Sequence, residues 1–186
     1  MTNPTVPILI LLRGIPGSGK STLAKKIRKN REENGEEIQW FEADQYFEGK
    51  NSDYIWNPSK LHRAHEVCFL NTKQSLESGI NTVVSNTFVR RKELNPYISL
   101  ANDLNTVLVI HTCKGLYGNV HGVPLKKVEQ MKQNFVEDSQ LFTTLQPEQK
   151  VKIAYTEEEI FSTLRKHSPK GSGKHLRNLE EALDDF

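Results

Sequence analysis

The sequence predicts an α/β fold built on a doubly wound parallel sheet of about five strands, and two observations predict it. Short apolar runs alternate along the chain with segments whose apolar residues recur at helical spacing. The first apolar run ends in a glycine-rich loop that opens directly onto a cationic helical segment, "GIPGSGKSTLAKK". Strands that alternate with helices bury both faces of a parallel sheet, which is what this order favours. The 186 residues suit one globular domain, set here over residues 1–166, with a lid near 114–124 and a polar tail over 167–186.

Ile8 to Leu12 is wholly apolar, as a central strand covered on both faces must be. Leu23, Ala24 and Ile27 give the next helix one apolar side, and Asn34-Gly35 stops it. Glu37 to Asp44 reads as the second strand. Asn57-Pro58 opens a long helix with Leu61, Ala64 and Cys68 on one face, ended by Gly79, and Ile80 to Thr87 is the third strand. Asn95-Pro96 pairs a cap with a proline at the first helical position, and Tyr97, Leu100, Ala101 and Leu104 follow as a buried stripe. Thr106 to Thr112 is the fourth strand; Pro124 then begins a helix with Leu125, Val128, Met131 and Phe135 on one side. A weaker fifth strand, "VKIAYT", leads into a helix that Thr156 and Glu159 close with a capping box. From about His167 the pattern fails. The "GSGK" at Gly171–Lys174 copies part of the glycine loop without a strand before it, so it reads as linker, with a short helix over Leu176–Leu183.

Hydrophobic residues make up 36% of the chain and charged residues 26%, the balance of a soluble protein, and a net charge of +2 selects no partner. Cys68 and Cys113 lie far apart without CxxC spacing, which indicates neither a disulfide framework nor a zinc knuckle. The N-terminal apolar run has no basic segment before it and is too short for a signal core or a bilayer span. A cytoplasmic protein with no membrane association is expected.

Gly14-Ile15-Pro16-Gly17-Ser18-Gly19-Lys20-Ser21 matches G-x-x-x-x-G-K-[ST] at every fixed position and lies between a predicted strand and a predicted helix. Glycines allow backbone turns that aim successive N–H groups at phosphate oxygens, and the helix N-terminus adds its positive dipole end. The nucleotide-binding set is Gly17, Ser18, Gly19, Lys20, Ser21 and Thr22. Lys20 is expected to reach the β- and γ-phosphates and the Ser21 hydroxyl to ligate Mg²⁺.

P-loop ATPases usually carry a metal-gripping carboxylate at the end of the strand beside the P-loop strand. Here that strand ends in Val83-Val84-Ser85-Asn86-Thr87, with no acid. The acid singled out is Asp44, in "EADQYF" at the end of the second strand, where strand ends face the ligand crevice. A carboxylate there can take the proton of an attacking hydroxyl, although Asp44 is also of the type that caps a turn. The balance favours a kinase over a motor or a switch.

The segments "RGIPGSGKSTLAKKI", "EADQYF", "YIWNPSKLHRAHEVC", "VVSNTFVRRKELNPY" and "NVHGVPLKKVEQM" resemble, in that order, the small P-loop kinases related to the Nedd4-binding protein 2 kinase domain. That family is in turn similar to bacteriophage and repair polynucleotide 5′-kinases. The resemblance covers roughly Ile8 to Asp138. It implies a P-loop kinase fold, ATP with Mg²⁺, and a hydroxyl on nucleic acid as acceptor, DNA ahead of RNA. It also implies Lys20 and Asp44 as the catalytic residues, and Asn86 and Thr87 beside the acceptor. The acceptor it implies is a 5′ end or, as in some phage relatives, a hydroxymethylated base. The arginines of polynucleotide kinases are replaced here by Tyr46-Phe47 after the aspartate and by Lys114, Lys126 and Lys127 near the lid. Arg90, Arg91 or those lysines are left to meet transition-state charge. With no phosphatase or ligase region in view, a stand-alone kinase is expected.

Glycines 115, 118 and 122 suit "KGLYGNVHGVP" to a closing lid, or to an ordinary surface loop, in which His121 meets phosphate or fixes a turn. Tyr46, Phe47, Tyr54 and Trp56 read equally as base-stacking aromatics and as a local core. Lys25, Lys26, Arg28, Lys29 and Arg31 read as a solvated face, and His62 with His65 as a polar helix face rather than a metal pair. A small-metabolite kinase and a non-catalytic nucleotide-binding module stay open beside the nucleic-acid kinase.

Overall fold

The structure, a computed structural model, describes residues 6–48, 55–118, 122–142 and 151–167. Tyr54, His121 and the tail beyond residue 167 therefore lie outside the described residues, with the proposed linker and short helix. Five strands, β1 (Ile8–Arg13), β2 (Ile38–Phe41), β3 (Asn81–Ser85), β4 (Val107–Thr112) and β5 (Val151–Ala154), form one parallel sheet in the order β2-β3-β1-β4-β5. Among the described residues six helices accompany them: α1 (Lys20–Glu33), α2 (Leu61–Glu77), α3 (Arg91–Asp103), α4 (Leu125–Gln133), α5 (Asp138–Phe142) and α6 (Glu157–His167).

The pleat of β1 divides the core in two. Ile8, Ile10 and Leu12 point to the side where Leu23, Ala24 and Ile27 of α1 and Ile160 and Leu164 of α6 pack. Leu9 and Leu11 point to the other side, against Cys68 and Leu76 of α2 and Leu94, Tyr97 and Leu100 of α3. With helices on both faces, every residue of β1 is buried, which is why its sequence runs apolar without alternation. The expected doubly wound sheet is what forms. No helix among the described residues is long and apolar enough to cross a membrane.

Several expectations need correction. The second strand stops at Phe41, and Asp44 lies in a 3₁₀ turn, Ala43–Phe47. The ladder ends because the Ala43 amide donates to Asn86 Oδ1 (2.9 Å) and the Glu42 amide to Gln45 Oε1 (3.1 Å), side chains that replace a neighbouring strand. The second helix begins as a 3₁₀ turn, Pro58–Lys60, and its Leu61 is exposed. The third helix starts at Arg91, so Pro96 lies inside it and not at its first position. The Glu93 carboxylate accepts from the Val89 amide (2.9 Å), which fixes the earlier start. The apolar stripe of α4 is not fully buried: Leu125 is 81% exposed, Val128 and Met131 are half-buried, and Phe135, just past the helix, packs under the buried Arg13. Helical spacing gives a segment a face; it does not supply a cover. Arg31 leaves the solvated basic face, because it is buried and pairs with Glu36. The capping of α6 is as read, with the Glu159 amide donating to Thr156 Oγ1 (3.3 Å).

Candidate nucleotide-binding and phosphotransfer site

The glycine loop joins β1, at the sheet centre, to α1, and its backbone is shaped for glycine. Gly17 has φ 79°, and a Cβ there would lie 2.3 Å from the Tyr117 carbonyl oxygen. The amides of Gly17, Gly19, Lys20 and Ser21 have no backbone partner among the described residues, so a cradle of donors at a helix N-terminus awaits an anion. Lys20 Nζ donates to the Ile15 carbonyl (3.0 Å), within the loop itself. Burial pulls its pKa below the ordinary lysine value, while Cys113, Glu42 and Asp44 push it back up. Ser18 is buried with an unpartnered hydroxyl, and Thr22 is exposed on the first turn of α1.

Ser21 leads to a residue that sequence reasoning passed over. Its hydroxyl donates to Glu42 Oε1 (2.6 Å). The Ser85 hydroxyl, at the end of β3, donates to the same oxygen, and Trp40 Nε1 donates to Ser85 Oγ (2.8 Å). Burial raises the Glu42 pKa above the ordinary carboxylate value, with the two hydroxyl bonds opposing it. Glu42 stands in the quoted "EADQYF", where it forms a local capping box with Gln45, but the hydroxyls that meet its carboxylate come from α1 and β3, so nothing local marks that contact.

Asp44 stands one residue beyond the pinned Ala43, half-buried and within electrostatic reach of Lys20 and Glu42. No hydrogen bond to its carboxylate ties it to another described residue. Asn86 is already engaged within the protein, whereas Thr87 is half-buried with its backbone engaged. Asn86 is buried, its amide spent on the Ala43 N–H and on Cys68 Sγ (3.5 Å), and the Thr87 carbonyl accepts from the Gly14 amide (3.1 Å). Both hold the two loops together. Arg91 donates to the Leu141 carbonyl (3.1 Å), whereas Arg90 and Lys114 are exposed. The aromatic cluster splits: Phe47 is buried with Ala43 and Ala64, while Tyr46 and Trp56 are 39% and 54% exposed. His62 and His65 are both exposed on α2.

On the far side of the glycine loop the residues 113–118 dock. The Gly115 amide donates to the Ser18 carbonyl (3.2 Å) and the Tyr117 amide to the Gly17 carbonyl (2.8 Å). Beside them a cleft of about 280 Å³ is lined by His111, Lys114 and Gly115 on one wall and by Tyr155 and Thr156 on the other. Asp138 closes its base, accepting from Thr112 Oγ1 (2.5 Å) and pairing with Arg13 (3.3 Å). Arg13 is fully buried at the end of β1; it also donates to the Val136 carbonyl (2.7 Å) and lies 4.1 Å over the Phe135 ring.

A parallel sheet with the glycine loop after its central strand, a cleft towards β5 and a carboxylate turn towards β2 defines a nucleotide-binding protein of the P-loop kinase fold. A family model described as an AAA domain matches residues 9–115, and the chain belongs to that family. The chain is 28% identical to human NEDD4-binding protein 2 over 94% of its own length, and it spans about a tenth of that protein, 11%. Among solved structures, it resembles Chaetomium thermophilum Kti12 in complex with ADP-AlF3 at TM-score 0.62 and 11% identity, covering 86% of this chain and 98% of that one. Mycobacterium tuberculosis APS kinase CysC in complex with AMPPNP and APS gives 0.51 and 13%, over 88% and 98%.

Proposed function

We propose that the protein transfers the γ-phosphoryl group of ATP, with Mg²⁺, to a hydroxyl on nucleic acid, DNA ahead of RNA, as a polynucleotide 5′-OH or a hydroxymethylated base. The observation that carries this reading is the 3₁₀ turn that holds Asp44 and the exposed Tyr46 together beside Lys20. A carboxylate without a hydrogen-bond partner among the described residues, within electrostatic reach of the phosphate lysine, suits a general base for the attacking hydroxyl. An exposed aromatic next to it suits a stacked base. Similarity to NEDD4-binding protein 2 supports the same class.

In this reading each substrate takes its own side of the glycine loop. The nucleoside end of ATP suits the cleft between β4 and the β5–α6 turn; the acceptor suits the β2 side. The hard oxygens near Ser21 fit Mg²⁺. No cluster of three His, Cys, Asp or Glu side chains capable of holding a metal occurs among the described residues, so the phosphates and water would complete the shell. When bound, the ion neutralises charge on the transferring phosphate. We assign the assisting charge to Arg90 and Lys114, both exposed. Asn86 and Thr87 position the site.

The test is turnover of γ-labelled ATP against 5′-OH oligonucleotides, hydroxymethyl-base DNA and small alcohols, with the wild type and Asp44→Asn. Transfer to an oligonucleotide is expected, with binding that weakens as salt rises. The substitution should lower kcat by about 10²–10⁴-fold and leave Mg-ATP affinity nearly unchanged. Transfer to small alcohols alone would make the protein a metabolite kinase. ATP binding without transfer to any acceptor would make it a nucleotide-binding module.

A further inference from the structure

We propose that Glu42 is the metal-holding carboxylate of this site, supplied from the end of β2 in place of an acid at the end of β3. The proposal rests on the Mg-nucleotide reading above and assigns one residue within it. In P-loop nucleotide-binding proteins the loop serine shares its Mg²⁺ with an acid on the neighbouring strand. The strand beside β1 is β3, and the residue in register with Leu12 at its end is Ser85, which has no charge. Glu42 fills the position from one strand further out, reaching past Ser85.

Three observations carry it. Glu42 Oε1 lies 2.6 Å from Ser21 Oγ, close to the separation of about 3 Å between neighbouring oxygens on an octahedral Mg²⁺ with bonds of about 2.1 Å. The direction of the hydrogen bonds is fixed as well. Ser85 Oγ accepts from the Trp40 indole, so its own proton is turned to Glu42, and the Oε1 that meets Ser21 is also held by this second hydroxyl. Such outer support is how ligating carboxylates are oriented. Finally, the Glu42 carboxylate is half-buried and makes no ion pair among the described residues, which leaves it available to a metal ion. Asp44 makes no hydrogen bond to Ser21, which leaves it for the acceptor hydroxyl.

The experiment measures Mn²⁺ affinity by electron paramagnetic resonance in the presence of AMPPNP, and AMPPNP affinity in EDTA by calorimetry. The proteins are the wild type, Glu42→Gln, and a double variant, Glu42→Ser with Ser85→Asp, that moves the acid to β3. Glu42→Gln is expected to weaken Mn²⁺ binding by about 10–100-fold while metal-free AMPPNP affinity stays within about threefold. The double variant should regain most of the lost Mn²⁺ affinity. Unchanged Mn²⁺ affinity in Glu42→Gln would overturn the assignment, as would an equal loss of metal-free nucleotide binding, the mark of a merely structural role. A wild-type protein that binds AMPPNP with no Mn²⁺ at all would overturn the Mg-nucleotide reading itself, a distinguishable failure.

Discussion

At the residue scale, Cys113 shows how burial decides chemistry beside the phosphate lysine. Its thiol is 8% exposed, and burial pushes its pKa up to about 11, with Lys20 pulling the other way. The fold therefore favours the neutral thiol. Between the ordinary value of 9.0 and about 11, the unfolded chain releases a proton that the folded chain keeps, so stability falls as pH rises through that window. Replacing Cys113 with Ala should remove up to about 3 kcal/mol of that loss, read from urea unfolding at pH 8.5 and pH 11. Equal pH slopes in the two proteins would refute it. The same burial should leave both Cys113 and Cys68 unreactive to a thiol reagent at pH 8 until the chain unfolds. Residues differ in how far sequence reveals them. Lys20 and Ser21 are legible because the spacing of their motif is fixed by a single backbone path. Glu42 and Arg13 are not, since each acquires its meaning from strands that become neighbours only when the sheet forms. Asn86 was legible as a special residue and mistaken in kind: its amide builds the turn that presents Asp44.

At the element scale, the segment after β4 shows the same division. Its glycines and its place between strand and helix mark a lid in the sequence, but the docking of residues 113–118 onto the glycine loop depends on contacts across about a hundred residues of chain. Gly115 is the tightest point. A Cβ there would lie 2.3 Å from Tyr117 Cε2 and 2.9 Å from the Ser18 carbonyl oxygen, so the ring or the loop must move. Gly115→Ala should break the two backbone bonds to Gly17 and Ser18. The expected result in hydrogen exchange is faster exchange at the amides of residues 115 and 117, with β1 and β4 unchanged. Unchanged protection at those two amides would show that the docking tolerates the methyl group. The shift of the α3 start has a comparable cause. Asn95-Pro96 carries a strong local start signal, yet the Glu93 carboxylate and the burial of Leu94 extend the helix beyond it.

For the whole molecule, the order β2-β3-β1-β4-β5 sets the cleft and the Asp44 turn on opposite sides of the glycine loop, and Arg13 fastens the cleft side to the sheet centre. Arg13 reaches from the last residue of β1 to the Val136 carbonyl, Asp138 and Phe135, while the Val136 amide donates to the Val89 carbonyl (3.0 Å). One buried cation thus joins β1, the entry to α3 and the α4–α5 connection. Its burial lowers the guanidinium pKa, with Asp138, Glu137 and Glu93 opposing, and the group keeps its charge because arginine starts so high. Arg13→Met preserves much of the side-chain volume but strands the Asp138 carboxylate and the Val136 carbonyl. Removing one partner of a buried pair costs about 3–5 kcal/mol, and that loss is expected in chemical unfolding. The second substitution decides the cause. If the stranded carboxylate is what destabilises, Arg13→Met with Asp138→Asn should recover part of the loss, giving a coupling energy that differs from zero. Losses that simply add, or a single-variant loss below about 1 kcal/mol, would mean that Arg13 packs there without joining the elements.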